Sequence, residues 1–161
     1  MADQARGQPL EFGHVGFQVS DLERSIEYYR DIIGMELVDH LVRDEPYLAQ
    51  VTGYPGIRLD IALLVEPNSR VMLELIEYPA GLGTPIDTAT ANPGTAHMCL
   101  VVDDVDAIYA RARSAGHAAV NPPVTPTKGM WTGGRSIYLR DPAGIRVELV
   151  QRGPSAADGT A

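Results

Sequence analysis

Two histidines and two glutamates are the residues of this sequence whose types and spacing suit joint chemistry. His14 and His97 each open a short apolar stretch, and Glu74 and Glu148 each lie inside a later one. The histidine-to-glutamate separation is 74 − 14 = 60 in the first half and 148 − 97 = 51 in the second, which fits a longer loop at 46–58. Imidazoles and carboxylates together suit a divalent metal ion, and a carboxylate can also act as a general base.

These four residues occupy equivalent positions in an internal repeat. The histidines begin two matching segments, GHVGFQVSDLERSIEYYRDIIGMEL (13–37) and AHMCLVVDDVDAIYARARSAGHAAV (96–120). The glutamates lie in a second matching pair, RVMLELIE (70–77) and GIRVELVQ (144–151). The repeat indicates two copies of one structural unit, each with one histidine and one glutamate.

Each copy predicts a β-α-β-β-β unit. Asp21 and Asp104 lie where helix N-caps belong, and Gly34 and Gly116 lie where the same helices would end. Apolar residues between them recur at helical spacing. The segments that predict strands are 12–19, 35–43, 58–65, 70–77, 95–102, 117–121, 135–140 and 145–151.

The chain divides at a region rich in glycine and proline. We expect a first module at 11–78, a linker at 79–94 and a second module at 95–151. Residues 1–10 and 152–161 are expected to be flexible tails.

Strand alternation places the four candidate residues on the same kind of face. In each of their strands the opposite face is apolar throughout and must pack against the helices. Those apolar residues are Val15, Phe17, Val19, Val71, Leu73, Leu75, Met98, Leu100, Val102, Ile145, Val147 and Leu149. If the two modules form one curved sheet, the other face lines a concavity in which the histidines and glutamates converge.

Two glutamates that converge in a cleft repel each other, and burial raises that cost. One divalent ion per site would remove the difficulty, because two carboxylates and two neutral imidazoles balance its charge. The predicted ligands are His14, Glu74, His97 and Glu148. Ni, Co, Zn, Mn and Fe all accept this donor set, and an octahedral ion would keep two positions for water or a chelating substrate.

Composition excludes several other classes of function. The chain has 161 residues and a net charge of −8, from 13 Lys and Arg against 21 Asp and Glu. An acidic chain without a basic cluster has no general attraction for nucleic acid, and no apolar run approaches the ~18 residues of a membrane span. The lone Cys99 excludes an internal disulfide and favours a reducing compartment. We expect a cytoplasmic protein that acts on a small molecule, with no nucleic-acid or membrane partner.

Four stretches together resemble the vicinal oxygen chelate superfamily: HVGFQVSDLERSIEYYRDIIGMEL, MLELIE, AHMCLVVDDVDAIYARARSAG and YLRDPAGIRVEL. This superfamily includes glyoxalase I (lactoylglutathione lyase), methylmalonyl-CoA epimerase, extradiol dioxygenases and fosfomycin- and bleomycin-resistance proteins. The resemblance implies an α+β fold in which two paired βαβββ modules form an open, cupped mixed β-sheet around one metal ion. It also implies a homodimer.

The order of the ligands separates the groups within this superfamily. His, Glu, His, Glu resembles glyoxalase I and the epimerases, whereas extradiol dioxygenases resemble a His, His, Glu triad. Two residues depart from the glutathione-dependent glyoxalases, because Gln18 and Tyr78 stand where those enzymes place an arginine and an asparagine. Ala96 stands where the epimerases have a second histidine.

The resemblance to the two nearest groups implies proton transfer beside a carbonyl by a metal-dependent isomerase or lyase. It favours Glu148 as the base, with Glu74 as the alternative. An Fe(II) extradiol-type dioxygenase and a non-catalytic small-molecule or antibiotic-binding resistance protein remain open. The candidate substrate-binding residues are Gln18, Tyr54, Tyr78, Cys99, Trp131 and Tyr138. The modules that form one centre can belong to one chain or to two.

Overall fold

The computed structural model describes residues 11–68 and 70–154. Its strands are β1 His14–Val19, β2 Glu36–Arg43, β3 Leu59–Val65, β4 Met72–Glu77, β5 His97–Val101, β6 Arg135–Arg140 and β7 Arg146–Gln151. Its helices are α1 Leu22–Glu27, a π-helix Tyr28–Ile33 that continues α1, α2 Tyr47–Thr52 and α3 Val105–Ser114.

The strands form two mixed sheets, one in each module. The first has the order β1-β4-β3-β2 and the second the order β5-β7-β6. In each module the first and last strands pair in parallel, β1 with β4 and β5 with β7, and the remaining pairs are antiparallel. The predicted α+β fold of two repeated modules is confirmed. The described residues form two separate sheets and not one continuous sheet.

Two local predictions were wrong. The predicted strand 117–121 forms only a single bridge, between Ala119 and Leu139. Pro122 and Pro123 follow it, and proline has no N–H to continue a ladder. The segment 46–58, predicted as a longer loop, contains helix α2.

The predicted helix ends are confirmed by their capping bonds. The Asp21 carboxylate accepts a hydrogen bond from Arg24 N at 3.1 Å, and the Asp104 carboxylate accepts one from Ala107 N at 2.8 Å. The π-helix ends at Gly34, which has a φ of 98°, a conformation that glycine adopts without steric cost. The hydrogen bond from Gly34 N to the Tyr29 carbonyl, at 3.1 Å, has the i→i+5 spacing of a π-helix.

One apolar core joins the two modules. Its buried residues come from both sheets, from α1, from the π-helix and from α3. Two polar contacts also cross between the modules: Tyr29 Oη donates to Asp141 Oδ2 at 3.1 Å, and Arg111 Nη2 donates to the Ile32 carbonyl at 2.6 Å. The apolar sheet faces are therefore turned toward this shared core, and the faces that carry the histidines and glutamates lie outside it.

The linker 79–94 contains neither a helix nor a strand. The predicted tail 1–10 lies outside the described residues, as does 155–161 of the C-terminal tail. Within the described part, the guanidinium of Arg152 lies 5.5 Å from the centre of the Trp131 ring. None of the helices in 11–68 and 70–154 has the length and apolar character to cross a membrane.

Candidate metal centre and active site

The first module brings His14 and Glu74 together. In the parallel pair of β1 and β4, Gly16 is opposite Glu74, and His14 lies two residues before Gly16 on the same face. His14 Nε2 is 3.3 Å from Glu74 Oε2, with side chains 51% and 22% exposed. We call His14 and Glu74 the first half-site; its polar atoms face away from the shared core.

The second module repeats this arrangement with His97 and Glu148. Cys99 is opposite Glu148 in the parallel pair of β5 and β7, so the histidine again lies two residues before the residue that faces the glutamate. His97 Nε2 is 3.1 Å from Glu148 Oε2, with side chains 37% and 20% exposed. We call His97 and Glu148 the second half-site.

The two half-sites do not meet within one chain. Across residues 11–68 and 70–154, no three His, Cys, Asp or Glu side chains come close enough together to hold a metal ion. The convergence expected for a single curved sheet is therefore not found in the chain by itself. The four-ligand metal centre stays a prediction, and each half-site offers two of its donors.

Polar and aromatic groups surround the second half-site. Tyr138 on β6 is opposite Glu148, and its ring centre is 5.3 Å from that of His97. Burial raises the pKa of the Cys99 thiol to about 11, and the nearby Glu148 carboxylate, which accepts a hydrogen bond from that thiol, adds to this rise. Burial and the same carboxylate raise the pKa of Tyr138. The candidates Cys99 and Tyr138 thus both contact the second half-site.

Arg146 also belongs to this neighbourhood and was not among the candidates. It is opposite His97 in the sheet and is only 4% exposed. Its guanidinium donates to the Thr90 carbonyl at 3.2 Å and to Thr95 Oγ1 at 2.8 Å, and it lies 5.8 Å from the centre of the Tyr138 ring. Strand alternation already puts Arg146 on the face of Glu148, and that signal could have identified it.

Apolar groups surround the first half-site. Glu74 is opposite Leu63 on β3, and Leu63 packs against a small apolar cluster that α2 covers. The buried members of that cluster are Leu48, Ile57, Leu59 and Ile61. The candidate Gln18 is exposed and lies opposite Ile76, on the same face as His14.

The candidates Tyr54 and Tyr78 lie at the edge of this apolar region. Their ring centres are 6.1 Å apart in an edge-to-face arrangement. Beside Tyr54 is an open cleft of about 380 Å³, lined by 54–57 and 79–82. The cleft has a largely apolar lining, which suits an apolar part of a ligand.

The candidate Trp131 lies near the end of β7 that is far from His97. His97 pairs with Arg146 at the start of β7, whereas Trp131 packs with Arg152, just beyond the end of the same strand. A substrate contact by Trp131 therefore stays a prediction.

The fold and the paired half-sites define the class of protein. The model of the glyoxalase/bleomycin resistance protein/dioxygenase superfamily matches residues 11–149. The chain belongs to this superfamily.

Relatives with assigned activities include an epimerase and lactoylglutathione lyases. The chain is 29% identical over 141 residues to a 2-epi-5-epi-valiolone epimerase of Actinomyces, covering 85% of this chain and 76% of the relative. It is 32% identical over 145 residues to a lactoylglutathione lyase of Arabidopsis thaliana, covering 89% of this chain and 45% of the relative. The chain thus spans less than half of the plant enzyme.

A solved structure supports the fold. A glyoxalase family protein from Bacillus cereus superposes with a TM-score of 0.77 at 23% identity, covering 92% of this chain and 98% of that one. At this identity the similarity shows the fold alone. Its near-complete coverage of both chains means that the arrangement of the two modules is shared.

Proposed function

We propose that this protein is a divalent-metal-dependent isomerase or lyase of the glyoxalase type, which removes a proton beside a carbonyl of a small metal-chelating substrate. The observation that carries the proposal is the repetition of one His–Glu pair, in the same strand register, in both modules. A chance ion pair has no reason to recur at equivalent positions. The relatives named as lyase and epimerase support an enzyme of this superfamily.

Two copies of the chain would assemble the complete centre. Each half-site lies outside the shared core and offers two donors, which are too few for a stable site. A two-fold dimer can place the first half-site of one copy against the second half-site of its partner, and symmetry then creates two equivalent centres. The proposed quaternary state is therefore a homodimer.

The residues fit a divalent cation by charge and by donor type. The Nε2 atoms of His14 and His97 each lie within 3.3 Å of a carboxylate oxygen, so nitrogen and oxygen donors are already adjacent. Ni, Co, Zn, Mn and Fe accept such mixed donors. When bound, the ion would act as a Lewis acid that stabilises negative charge on the substrate's carbonyl oxygen.

The protein residues would transfer the proton and hold the metal ion. Glu148 accepts the proton from the carbon beside the carbonyl, and the electron pair of the broken C–H bond moves onto the carbonyl oxygen. Glu148 next returns the proton to the neighbouring carbon or to the opposite face of the same carbon. Glu74 is the alternative base, and His14 and His97 hold the centre in place.

The proposed substrate-binding residues form two groups, one beside each half-site. Cys99 and Tyr138 border Glu148, while Gln18, Tyr54 and Tyr78 lie on the side of the first half-site. Gln18 and Tyr78 stand where the glutathione-dependent glyoxalases place an arginine and an asparagine, and a largely apolar cleft lies beside Tyr54. We therefore propose a substrate with an apolar part on this side.

Elemental mass spectrometry of the purified protein tests the proposal first. We expect about one divalent ion per chain, and loss of that ion in a His14→Ala, Glu148→Ala double variant. His40→Ala is the matched control, because His40 pairs with Asp60 outside both half-sites. Protein that stays metal-free after exposure to Ni²⁺, Co²⁺ and Mn²⁺ would contradict the proposal.

The second test measures the proposed proton transfer. The metal-loaded protein should catalyse exchange of the hydrogen beside a carbonyl for deuterium in D₂O, detected by NMR with 2-hydroxy and 2-oxo compounds as probes. Exchange should continue without O₂. An iron-loaded protein that acts only on aromatic diols, and only with O₂, would instead establish a dioxygenase. Tight ligand binding without metal and without turnover would establish a binding protein.

A further inference from the structure

Arg146 is a buried cation without a carboxylate partner in the described chain. It is 4% exposed, and none of the ion pairs formed within 11–68 and 70–154 includes it. Its Nε is buried and has no hydrogen-bond partner. Burying a charged group without an opposite charge is costly, and the two hydrogen bonds from this guanidinium go to neutral acceptors, the Thr90 carbonyl and Thr95 Oγ1.

The position of Arg146 connects it to the second half-site. Across the sheet, His97, Arg146 and Arg140 lie in one row. The next row on the same face contains Cys99, Glu148 and Tyr138. Arg146 is therefore adjacent to both members of the second half-site.

The segment that covers Arg146 is held by polar contacts. We call residues 88–95 the strap; every one of them is exposed or half-buried. Arg140 donates to Thr88, and Arg146 donates to Thr90 and Thr95. An arginine bond to a charged acceptor is stronger than a bond to a neutral carbonyl or hydroxyl, so an anionic ligand can compete with the strap for this guanidinium.

We propose that Arg146, with the Tyr138 ring beside it, binds an anionic group of the substrate next to the second half-site. The inference deepens the proposed function and rests on it. Two carboxylates and two neutral imidazoles balance a divalent ion, so Arg146 gives the assembled centre one excess positive charge. The substrate class that fits is a small acid whose carboxylate or phosphate lies close to its chelating oxygens.

Binding of two chelators to the Co²⁺-loaded dimer tests this proposal. The probes are acetohydroxamate and a hydroxamate of similar size that carries an additional carboxylate or phosphonate, followed by the visible absorption of cobalt. The wild type should bind the anionic probe about tenfold more tightly, as one charge-assisted contact predicts. Arg146→Met should lose this preference while still binding acetohydroxamate, and Arg146→Lys should keep part of it.

Two further variants test whether the preference for the anionic probe depends on the charge of Arg146 or on contacts that hold the strap. Thr95→Val removes one strap bond to Arg146, and Arg140→Met removes the neighbouring guanidinium that holds Thr88. Both should keep the preference for the anionic probe. An equal loss of affinity for both probes in Arg146→Met would overturn the proposal, because Arg146 would then only balance Glu148. A preference that persists in that variant would also overturn it.

An experiment on metal-free protein distinguishes failure of this proposal from failure of the proposed function. If the Co²⁺-treated protein binds neither hydroxamate, the proposed metal function fails. Calorimetry of metal-free protein with inorganic phosphate and with malonate then decides the role of Arg146. Binding to wild type that Arg146→Met abolishes supports the anion site, and absence of binding to wild type overturns it.

Discussion

The two half-sites share their backbone geometry and differ in their surroundings. In both, the histidine lies two residues before the residue that faces the glutamate, and the Nε2–Oε2 distances are 3.3 and 3.1 Å. The first glutamate, Glu74, has Gly16 on one side and Leu63 on the other. Neither residue has a side-chain group that can donate a hydrogen bond to the Glu74 carboxylate. The first module therefore contains the same His–Glu pair, but the residues opposite Glu74 in the sheet provide no side-chain hydrogen-bond donor.

The second glutamate has different neighbours. Glu148 lies between Cys99 and Tyr138, with Arg146 two residues before it on the same face. A carboxylate with other donors nearby loses less when it leaves a metal ion than one that would remain unpaired. The difference supports the proposed division of roles, in which both half-sites hold the metal ion and Glu148 of the second transfers the proton.

The largest predicted effect separates the two glutamates. Glu148→Gln should lower kcat by about 10²–10⁴, the usual contribution of a general base. Glu74→Gln should weaken metal binding while leaving kcat closer to wild type once metal is saturating. Exchange into D₂O and a metal titration of both variants measure this. The reverse order of effects would move the base to Glu74.

A mixing experiment tests whether the half-sites of different copies combine. One variant carries His14→Ala and Glu74→Ala, and the other carries His97→Ala and Glu148→Ala. Each should be inactive alone. If a centre combines half-sites of two copies, refolding them together should restore about a quarter of wild-type activity, because half of the dimers are mixed and each has one intact centre. Activity that stays at the level of the separate variants would exclude this arrangement.

The sequence predicted the contacts within each module, which follow from the repeat. It did not predict the features that depend on how the two modules pack. The strand register that joins His14 to Glu74 and His97 to Glu148 follows from alternation and from the repeat, and both pairs were found. The separation of the pairs was not predictable, because it depends on which faces the two sheets bury against each other. Alternation puts Arg146 on the face of Glu148, but its burial could not be predicted, because it depends on contacts with the strap, which has no regular sequence pattern.

A smaller effect concerns the core that separates the half-sites. Tyr29→Phe removes the hydrogen bond to Asp141, a buried carboxylate that joins the two modules. The free energy of unfolding should fall by about 1.5–3 kcal/mol, the usual contribution of a hydrogen bond to a charged group. Tyr47→Phe is the control, because Tyr47 is 48% exposed and its hydroxyl accepts a hydrogen bond from the half-buried Arg43 at 3.2 Å. Denaturant unfolding measures both; equal losses would show that Tyr29 does not join the modules through this bond.

The smallest predicted effect is a pH dependence confined to the second module. Asp141 begins the turn that leads into β7, and burial raises the pKa of its carboxyl above the ordinary value of 3.8, although hydrogen bonds from Ile145 N and Tyr29 oppose the rise. At the matching turn of the first module, Glu66 is only half-buried and accepts hydrogen bonds from Asn68. The two modules therefore differ at this turn as they do at their half-sites.

The sign of this effect follows from proton binding. A raised pKa means that the folded state holds the Asp141 proton more tightly, so the stability it contributes is present below 3.8 and is lost as pH rises through the folded-state pKa. Asp141→Asn lacks this loss, so its free energy of unfolding should rise relative to wild type as pH increases through that range. Asp106→Asn should show the opposite trend, because Arg135 lowers the pKa of Asp106. Denaturant titrations at several acidic pH values measure both trends, and parallel curves for Asp141→Asn and wild type would contradict the assignment.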